Sequence, residues 1–354
     1  MTGFGKSHRS PSWYREPGPE GDVVVSSRVR LSRNLSSVLF PHLLREEGFL
    51  EVRRLVGEAL RDALGDAREE EGLLRYDWED LASDEAALLG EESRLGPEEG
   101  ARGVSVFLLP GMDLGVEVNA RDHLRIASLR GGLDLRRAWA EADGLDSRLE
   151  SLLDYAVSLE WGYLSAEIDN IGPALRASAL LHLPASQLGG GNKKIGELVE
   201  AANHRIRPFL PGEEAPGDLF LLSGGSEIGV SEEEILEKLE EITRSLLHYE
   251  REMRSFLFEK KRDFLEDQVC RALGVLERAR FLRCDEAVKL LSLVRMGCAM
   301  DCAARVDPAR VTALLFESRP AHVRMRLGGG EVGEERENGE RAAWIRSGLD
   351  GSPG

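Results

Sequence analysis

Residues 23–34 alternate between apolar and polar side chains and read Val-Val-Val-Ser-Ser-Arg-Val-Arg-Leu-Ser-Arg-Asn. Successive side chains of a β-strand point to opposite faces, so this alternation predicts a strand with Arg28 and Arg30 on its polar face. The predicted apolar face consists of Val25, Val29 and Leu31. Neighbouring arginines repel each other unless an anion lies between them, and their planar donor groups match phosphate oxygens. The polar face is therefore either a solvated surface or part of an anion site.

Arginine recurs on the polar faces of two further strand candidates. Residues 123–129, the second strand of a predicted hairpin, place Arg125 opposite an apolar face, and residues 175–183 place Arg176 in the same way. Arg207 precedes a loop rich in Gly and Pro. A surface salt bridge can explain each arginine taken singly. If the four segments converge on one sheet face, their guanidinium groups form a site for a polyphosphate.

The overall composition is that of a soluble protein with an acidic balance. The chain has 354 residues, of which 42% are hydrophobic, and a formal net charge of −17. This charge argues against non-specific binding to nucleic acid, and no apolar run approaches the roughly 20 residues that span a membrane. The N-terminus lacks the apolar core of a signal peptide, so we expect a cytoplasmic protein. The cysteines are expected to be free thiols in that reducing compartment.

The chain divides into two regions of different character after a short lead-in. Residues 1–21 are rich in Pro, Gly and Ser and predict a flexible N-terminal lead-in. Residues 22–250 mix strand and helix patterns, including an amphipathic helix at 137–160, and predict an α+β domain. Within it, the Glu- and Gly-rich residues 82–102 are expected to form a mobile loop. Helical patterns dominate afterwards, so residues 251–354 are predicted to form an all-helical C-terminal domain.

The common nucleotide-binding motifs are absent from this sequence. Residues 189–194, which read Gly-Gly-Gly-Asn-Lys-Lys, lack the P-loop spacing Gly-x4-Gly-Lys-Ser/Thr and do not lead directly off a strand. We interpret them as a flexible loop. A polyphosphate site in this chain would therefore be built from arginine side chains, without a Gly-rich loop.

Four segments occur in the order and at the spacing found in one protein family. They are Ser-Ser-Arg-Val-Arg-Leu-Ser-Arg-Asn at 26–34, Asn-x-x-Asp-His-Leu-Arg-Ile at 119–126, Gly-Tyr-Leu at 162–164 and Asn-x-Gly-x-x-Leu-Arg-Ala-Ser at 170–178. Together they resemble the ATP:guanidino phosphotransferase family. Two C-terminal segments, at 290–297 and 319–322, are similar to the helical domain of its bacterial protein arginine kinase branch. The resemblance covers about residues 22–350.

The resemblance implies a guanidino-kinase-type antiparallel sheet flanked by helices, followed by an all-helical C-terminal domain. It also implies a kinase that moves the γ-phosphoryl group of ATP to arginine side chains of proteins. In that family, matching arginines hold the nucleotide phosphates, and Mg²⁺ bridges those phosphates. The matching arginines in this sequence are Arg28, Arg30, Arg125, Arg176 and, with looser alignment, Arg207.

The sequence departs from the family pattern on the acceptor side of the site. The family's Asn-Glu-Glu-Asp-His reads Asn-Ala-Arg-Asp-His at 119–123, so Arg121 replaces a glutamate that grips the substrate guanidinium and takes its proton. Glu167 aligns with the family's reactive cysteine and can attract a guanidinium in place of that glutamate. Glu214, with Glu213 as the alternative, matches the family's second catalytic glutamate. The resemblance thus makes Glu214 and Glu167 the predicted catalytic residues.

The C-terminal region carries further expectations from the resemblance. The branch has a phosphoarginine-binding Arg-Asp-x-x-Arg-Ala, whereas residues 337–342 read Glu-Asn-Gly-Glu-Arg-Ala, so phosphoarginine sensing is left open. The resemblance implies a homodimer and, as partners, a zinc-finger activator protein and the protease machinery that degrades marked proteins. The apolar positions fit either a dimer interface or packing within the chain; they are Leu290, Leu291, Leu293 and Val294.

Three functions are compatible with the sequence. The first is an active arginine kinase, because phosphoryl transfer depends mostly on positioning and charge stabilisation, which a retained arginine clamp supplies. The second is a catalytically impaired pseudokinase that binds nucleotide and acts as a regulatory or scaffold protein. Arg121 favours it, because two guanidinium groups about 4 Å apart repel by about 4 kcal/mol at an effective dielectric near 20. The third is an enzyme that acts on a different, anionic acceptor.

Overall fold

The structure is a computed structural model that describes residues 11–65, 73–93, 103–109, 113–210, 216–224, 229–303 and 305–350. The strands are β1 (Val24–Arg33), β2 (Leu74–Asp77), β3 (Ser105–Leu108), β4 (Leu114–Val118), β5 (Leu124–Gly131), β6 (Val157–Ser158), β7 (Gly162–Tyr163), β8 (Leu175–His182), β9 (Arg205–Pro208) and β10 (Leu219–Gly224). The helices are α1 (Glu46–Leu64), α2 (Ser83–Glu91), α3 (Leu135–Glu150), α4 (Pro184–Leu188), α5 (Asn192–Ala201), α6 (Glu232–Arg278), α7 (Cys284–Ala299), α8 (Pro308–Glu317), α9 (Pro320–Arg326) and α10 (Glu334–Leu349).

One large antiparallel sheet organises the first two thirds of the chain. Its strand order is β2-β3-β4-β5-β1-β8-β10-β9, and every neighbouring pair is antiparallel. β1 pairs with β5 on one side and with β8 on the other, so the first strand of the sequence lies inside the sheet. The predicted α+β class with an antiparallel sheet and a helical C-terminal region is confirmed.

One face of the sheet is covered by helices that form the main apolar core. Val29 and Leu31 of β1 pack there with residues of α1, α3 and α5 and of the first half of α6. Helix α6 begins at the capping box of Ser231, whose hydroxyl accepts a hydrogen bond from the Glu234 N–H at 3.3 Å. Because the apolar residues of β1 face this core, Arg28 and Arg30 must project from the opposite face.

Val25 is an exception to the alternation predicted for β1. It packs with the C-terminal helices rather than with Val29 and Leu31. The pairing of β1 with β8 shifts register between Val24 and Ser26, and such an irregularity reverses the facing of the residues before it. The predicted apolar face therefore holds for Val29 and Leu31 but is wrong for Val25.

The C-terminal helices pack against the other face of the sheet, beside the arginines. Val25, Leu129 and Leu180 of the sheet share a buried cluster with residues of α7, α8 and α10 and of the second half of α6. Helix α6 crosses the predicted domain boundary after residue 250 and has non-helical backbone angles at Lys261. Leu291 and Val294 are buried within this cluster, so their packing is satisfied inside one chain.

Some local predictions differ from the structure. The helix predicted at 137–160 ends at Glu150, because Leu153 and Tyr155 turn back into the main core, and the short β6–β7 hairpin follows. The loop predicted at 82–102 contains α2, which buries Leu88 and Leu89; residues 94–102 lie outside the described residues. Trp13 and Tyr14 are buried in a segment for which the composition predicts a flexible lead-in.

Helix α5 begins at Asn192, so the second half of the loop predicted at 189–194 is helical. The four cysteines are free, as expected from the sequence, and Cys270 is exposed. No helix among the described residues is long and apolar enough to cross a membrane.

Candidate active site

Four arginines of the central strands share one face of the sheet. Arg30 of β1 lies directly opposite Arg176 of β8. Ser32, on the same face as Arg30, lies opposite Arg125 of β5. Arg28 shares this face because it lies two residues before Arg30. The structure therefore brings together four of the arginines singled out from the sequence, here called the arginine cluster: Arg28, Arg30, Arg125 and Arg176.

The edge strand β9 adds two arginines to this face. Arg205 lies opposite Ser223 of β10, and Ser223 lies opposite Ser178 of β8, which in turn lies opposite Arg28. Arg207 is two residues further along β9 and shares the face. A cavity of about 530 Å³, here called the larger cavity, lies over these strands. Its lining includes five arginines: Arg28, Arg30, Arg176, Arg205 and Arg207.

Arg205 is a candidate that the sequence reasoning missed. The segment Arg205-Ile206-Arg207 repeats the alternation of Arg28-Val29-Arg30, which is the signal that could have identified it. The strand is only four residues long and runs into a loop rich in Gly and Pro, so its strand character is weak in the sequence. Both arginines of β9 are exposed.

The positive charges of the arginine cluster repel one another. Burial lowers the pKa of Arg28 to about 10, and repulsion by Arg125 and Arg207 acts in the same direction. The pKa of Arg30 falls well below its usual value, chiefly because Arg28 is close, with burial and the charges of Arg125 and Arg176 adding to it. A bound polyanion would remove this repulsion, so the cluster has the electrostatics of an anion site.

One buried carboxylate offsets part of this positive charge. Glu117 of β4 lies opposite Arg125, is fully buried and forms an ion pair with it. Burial raises the pKa of Glu117, while the charges of Arg125, Arg30 and Arg28 oppose the rise. Sequence reasoning also missed Glu117, although a lone glutamate within the apolar strand Leu114–Val118 is a usable signal. The ion pair with Glu117 holds the Arg125 guanidinium against the sheet.

A second cavity of about 230 Å³, here called the smaller cavity, adjoins the larger one, since Arg30 and Arg176 line both. Its remaining lining includes Arg121 and Glu167, which form an ion pair. The second oxygen of Glu167, Oε2, accepts a hydrogen bond from Asn170 Nδ2 at 3.0 Å. Asn170 Oδ1 in turn accepts one from Arg176 Nε at 2.5 Å. The Arg121 guanidinium therefore already occupies one oxygen of Glu167, the carboxylate predicted to bind the guanidinium of the substrate.

Asp122 joins the two loops that carry this ion pair. Its Oδ1 accepts hydrogen bonds from Asn34 Nδ2 at 2.6 Å and from the Ser165 hydroxyl at 2.7 Å. The Ser165 hydroxyl also accepts a hydrogen bond from the Glu167 N–H at 3.1 Å. Asp122 and Asn34 are both buried, so the turn before β5 and the loop of Glu167 are held in a fixed relation.

Two predicted components of the site are not described. Glu214, and its alternative Glu213, lie in residues 211–215, outside the described residues. For a metal, the described residues contain no group of three or more His, Cys, Asp or Glu side chains that could hold one. Mg²⁺ that arrives with a nucleotide keeps several waters and needs only one or two carboxylates from the protein. Asp169 lines the larger cavity and is a suitable carboxylate.

Comparison with known proteins agrees with this arrangement. A family model described as "ATP:guanido phosphotransferase, C-terminal catalytic domain" matches residues 56–253, more than half of the chain. The chain belongs to the ATP:guanido phosphotransferase family. A second model, described as "Protein-arginine kinase McsB C-terminal domain", matches residues 262–353. The helical C-terminal region therefore has a counterpart of its own, and the family resemblance stated from the sequence motifs is confirmed.

Curated relatives in the ATP:guanido phosphotransferase family match nearly the whole chain. The protein-arginine kinase of Moorella thermoacetica is 36% identical over 354 residues, which cover 97% of this chain and 98% of the relative. The protein-arginine kinase of Syntrophomonas wolfei is 34% identical over 338 residues, 94% of this chain and 93% of the relative. Both relatives are named protein-arginine kinase.

Solved structures of guanidino kinases share the fold. The duplicated taurocyamine kinase from Schistosoma mansoni, with bound transition-state-analogue components, has a TM-score of 0.59 at 22% identity. The match covers 69% of this chain and 36% of that duplicated chain. A lombricine kinase has a TM-score of 0.57 at 18% identity, over 70% of this chain and 72% of its own. At these identities the likeness shows the fold of the family.

Proposed function

We propose that this chain is a protein-arginine kinase that transfers the γ-phosphoryl group of ATP to arginine side chains of proteins. The pair of adjoining cavities carries this proposal. The larger cavity is lined by arginines, and the smaller one holds a carboxylate, Glu167, that pairs with a guanidinium. A polyphosphate and a guanidinium are the two reactants of such a transfer. The relatives named protein-arginine kinase, similar over nearly their whole length, support the same activity.

On the nucleotide side, the arginine cluster and Arg207 would bind the phosphates of ATP, and we add Arg205 to this set. Arginine suits this role because its planar fork of N–H donors pairs with two phosphate oxygens at once. The donors are fixed on strands, so they need little reorganisation when charge develops on the transferred group. Mg²⁺, held by the phosphates and Asp169, would supply further neutralisation of that charge.

On the acceptor side, Glu167 would orient the substrate guanidinium and Glu214 would accept its proton. A guanidinium nitrogen attacks the γ-phosphorus, and the bond between that phosphorus and the β–γ bridging oxygen breaks. ADP leaves with the electron pair of this bond, and the proton lost by the guanidinium passes to the carboxylate of Glu214. A positioned base of this kind contributes a factor of about 10² to 10⁴ to the rate.

The Arg121–Glu167 ion pair favours a second candidate, a pseudokinase that binds nucleotide and acts as a regulator or scaffold. In that case the protein's own guanidinium would permanently block the acceptor carboxylate. The named activity of the relatives weighs against this candidate. The two candidates differ in one observable, because only the kinase transfers phosphate after it binds ATP.

Binding and transfer should be measured on the same preparation. Calorimetry with ATP and Mg²⁺ reports binding, and acid-labile phosphoarginine on a basic test protein reports transfer. For a kinase we expect both, and Arg176→Ala should lose both. Arg136→Ala is the matched control, because Arg136 is an exposed helix residue paired with Glu233 outside the cavities, and it should keep both. Binding without transfer would establish the scaffold instead, and the absence of ATP binding would contradict both candidates.

We further propose that the protein works in the cytoplasm as a homodimer with a zinc-finger activator protein and the protease machinery as partners. These proposals rest on the resemblance to the protein arginine kinase branch, and the match of the C-terminal family model supports that branch. Exposed Phe256 and Phe264 on α6 offer apolar surface for a second copy. Light scattering on the purified protein would give the mass of a dimer, and a monomeric mass would contradict this proposal.

A further inference from the structure

Glu117 is a carboxylate buried directly behind the arginines of the candidate active site. Its side chain is fully buried on β4, whereas its ion-pair partner on β5, Arg125, is 19% exposed. Apart from that ion pair, neither carboxylate oxygen of Glu117 has a hydrogen-bond partner among the described residues. A buried charge with so few hydrogen bonds is costly, so the charge of Glu117 depends on the positive groups close to it.

Those positive groups belong to the arginine cluster. Arg125 lies opposite Glu117, and the charges of Arg30 and Arg28 on β1 also act on it. Burial raises the pKa of Glu117, and the three arginines oppose that rise. The protonation state of Glu117 is therefore a balance between burial and three positive charges.

The other sides of Glu117 are mostly apolar. Val106 of β3 lies opposite Glu117, and Ala127 of β5 shares its face of the sheet, two residues beyond Arg125. Helix α2 covers Val106 and Ala127 with Leu88 and Leu89. These neighbours exclude water, so they cannot stabilise an ionised carboxylate when the arginines stop doing so.

The titratable residues on these elements do not take over the role of the arginines. His123 lies two residues before Arg125 on the same face, but it is neutral, because its Nδ1 accepts a hydrogen bond from the Leu35 N–H at 3.0 Å. On the elements beyond β3, Tyr76 of β2 and Glu85 of α2 are buried, and neither can carry a positive charge. The charges that favour the ionised form of Glu117 are thus those of the arginines.

A bound polyphosphate would change this balance. The described lining of the smaller cavity includes Arg30 and Arg125, and that of the larger cavity includes Arg28 and Arg30, but neither includes Glu117. Phosphate oxygens would therefore contact the arginines from the cavity, while Glu117 stays behind them. The phosphates neutralise the charges that favour the ionised carboxylate, and burial then favours its neutral acid form.

We propose that Glu117 is a positioning residue that holds Arg125 before the nucleotide binds and takes up a proton when the phosphates replace it as the partner of Arg125. This inference rests on the nucleotide binding of the proposed function and deepens it by linking that binding to pH. The proton comes from the solvent, and no covalent bond of the nucleotide changes. Because binding consumes a proton, the affinity for nucleotide should rise as the pH falls.

Titration calorimetry with ADP and Mg²⁺ measures this proton. At each of pH 6, 7 and 8, titrations in buffers with different enthalpies of ionisation give the number of protons taken up on binding. We expect the wild type to take up more protons than Glu117→Gln, by up to about one. The affinity of the wild type should also fall relative to that of Glu117→Gln as the pH rises, by up to about tenfold per pH unit. Protonation of the nucleotide itself contributes equally to both proteins and cancels.

Two further variants separate titration from structure. Glu117→Asp keeps a carboxyl group and should retain part of the proton uptake. Glu250→Gln is the matched control, because Glu250 is also a fully buried carboxylate paired with an arginine, Arg254, and it lines neither of the two cavities as described. It should retain all of the uptake. Equal uptake in the wild type and in Glu117→Gln at all three pH values would overturn the proposal and leave Glu117 a structural partner of Arg125.

Infrared difference spectroscopy tests the same event without a variant. When ADP binds to the wild type, the spectrum should gain the carbonyl band of a protonated carboxylic acid and lose the bands of a carboxylate. A spectrum without this change would contradict the proposal, even if Glu117→Gln failed to fold.

A failure of the kinase function can be told apart from a failure of this inference, because these experiments measure binding and not transfer. If ADP does not bind to the wild type, the proposed nucleotide site is wrong, and the same titrations are made with inorganic tripolyphosphate. Proton uptake that is lost in Glu117→Gln then supports the role of Glu117 in polyphosphate binding. The absence of binding or of uptake contradicts it.

Discussion

Arg30 has an arginine on three sides: Arg28 two residues earlier on β1, Arg176 opposite it on β8, and Arg125 on β5. These neighbours and burial hold its pKa well below the usual value, which means that its positive charge is disfavoured in the folded protein. The charge of Glu117 opposes this effect. The protein thus tolerates local destabilisation at a residue whose charge is useful once a polyanion binds.

Replacing Arg30 should therefore change the thermal stability of the protein and its affinity for ATP in opposite directions. We expect Arg30→Met to raise the melting temperature of the nucleotide-free protein by about 2–4 °C, which corresponds to about 1 kcal/mol in a domain of this size. The same variant should lose ATP affinity by about tenfold or more, because a charge-assisted pair with a phosphate is removed. Differential scanning calorimetry and titration calorimetry measure the two effects.

Arg136→Met is the control for Arg30→Met, because it removes an exposed arginine from the surface of α3. Arg136→Met should change neither the melting temperature nor the ATP affinity appreciably. A lower melting temperature together with unchanged ATP affinity in Arg30→Met would mean that Arg30 is a structural residue. In that case the electrostatic account of the cluster would be wrong.

At the scale of secondary-structure elements, the sequence predicts best the features that depend on the local alternation of apolar and polar residues along a strand. Arg28, Arg30, Arg125 and Arg176 each stand on a strand whose opposite face is apolar, and the structure brings all four together. The strand pattern alone could not reveal that Arg30 lies directly opposite Arg176. That register depends on which strands become neighbours, and β1 and β8 are far apart in sequence.

The predictions that failed, or could not be made, depend on strand register and on contacts between residues far apart in sequence. Val25 is on the unexpected face because of a register shift, which no alternation rule contains. The helix predicted at 137–160 fails after Glu150, because tertiary packing of Leu153 and Tyr155 outweighs helical periodicity. The ion pair of Arg121 with Glu167 joins residues 46 positions apart, so the sequence could name both residues but not their contact.

Strand β8 links the site to the C-terminal helices through its two ends. Arg176 lies near its start, and His182 lies at its end, fully buried against α7. Arg295 donates a hydrogen bond to His182 Nδ1 at 2.6 Å, and His182 Nε2 lies 2.8 Å from the Ser292 hydroxyl. Because Arg295 can only donate, His182 must be neutral and carry its proton on Nε2. Burial and the charges of Arg295 and Arg254 lower the pKa of His182 well below 6.5.

This histidine gives a prediction for the pH dependence of stability. Below about pH 6.5 the unfolded chain binds a proton at His182 that the folded protein does not bind, so the contribution of His182 to the free energy of unfolding should fall as the pH decreases. The slope for one such group approaches about 1.4 kcal/mol per pH unit. Buried His123, whose pKa is also lowered by burial, contributes in the same direction. Urea unfolding between pH 5 and 8 measures this slope.

Variants identify how much of the slope comes from His182. His182→Gln should lower stability at every pH but reduce the slope, because one titrating group is lost. His248→Gln, the control, removes an exposed histidine of α6 and should change the slope less than His182→Gln, because its ion pair with Glu252 is exposed. If the slope in His182→Gln equals that of the wild type, the buried contact between β8 and α7 does not control the pH dependence.

At the scale of the whole molecule, the sheet and the C-terminal helices share a core. Val25, Leu129 and Leu180 of the sheet are buried together with Leu276, Leu291 and Phe316 of the C-terminal helices. Arg295 of α7 also donates hydrogen bonds to the carbonyl oxygens of Gly21 and Asp22, next to the start of β1. Apolar burial of this kind contributes about 25 cal/mol per Å² and couples the two regions.

We therefore expect the two regions to unfold together, although residues 22–250 and 251–354 are predicted to be separate domains. The full chain should show one calorimetric transition whose van't Hoff and calorimetric enthalpies agree. A chain that ends at residue 250 should melt at a lower temperature and aggregate more readily, because Val25, Leu129 and Leu180 would lose their cover and expose an apolar patch beside the arginine cluster. Two well-separated transitions in the full chain, or a truncated chain that melts at the same temperature, would instead show independent domains. In that case the hydrogen bonds of Arg295 to His182, Gly21 and Asp22 would not couple the folding of the two regions.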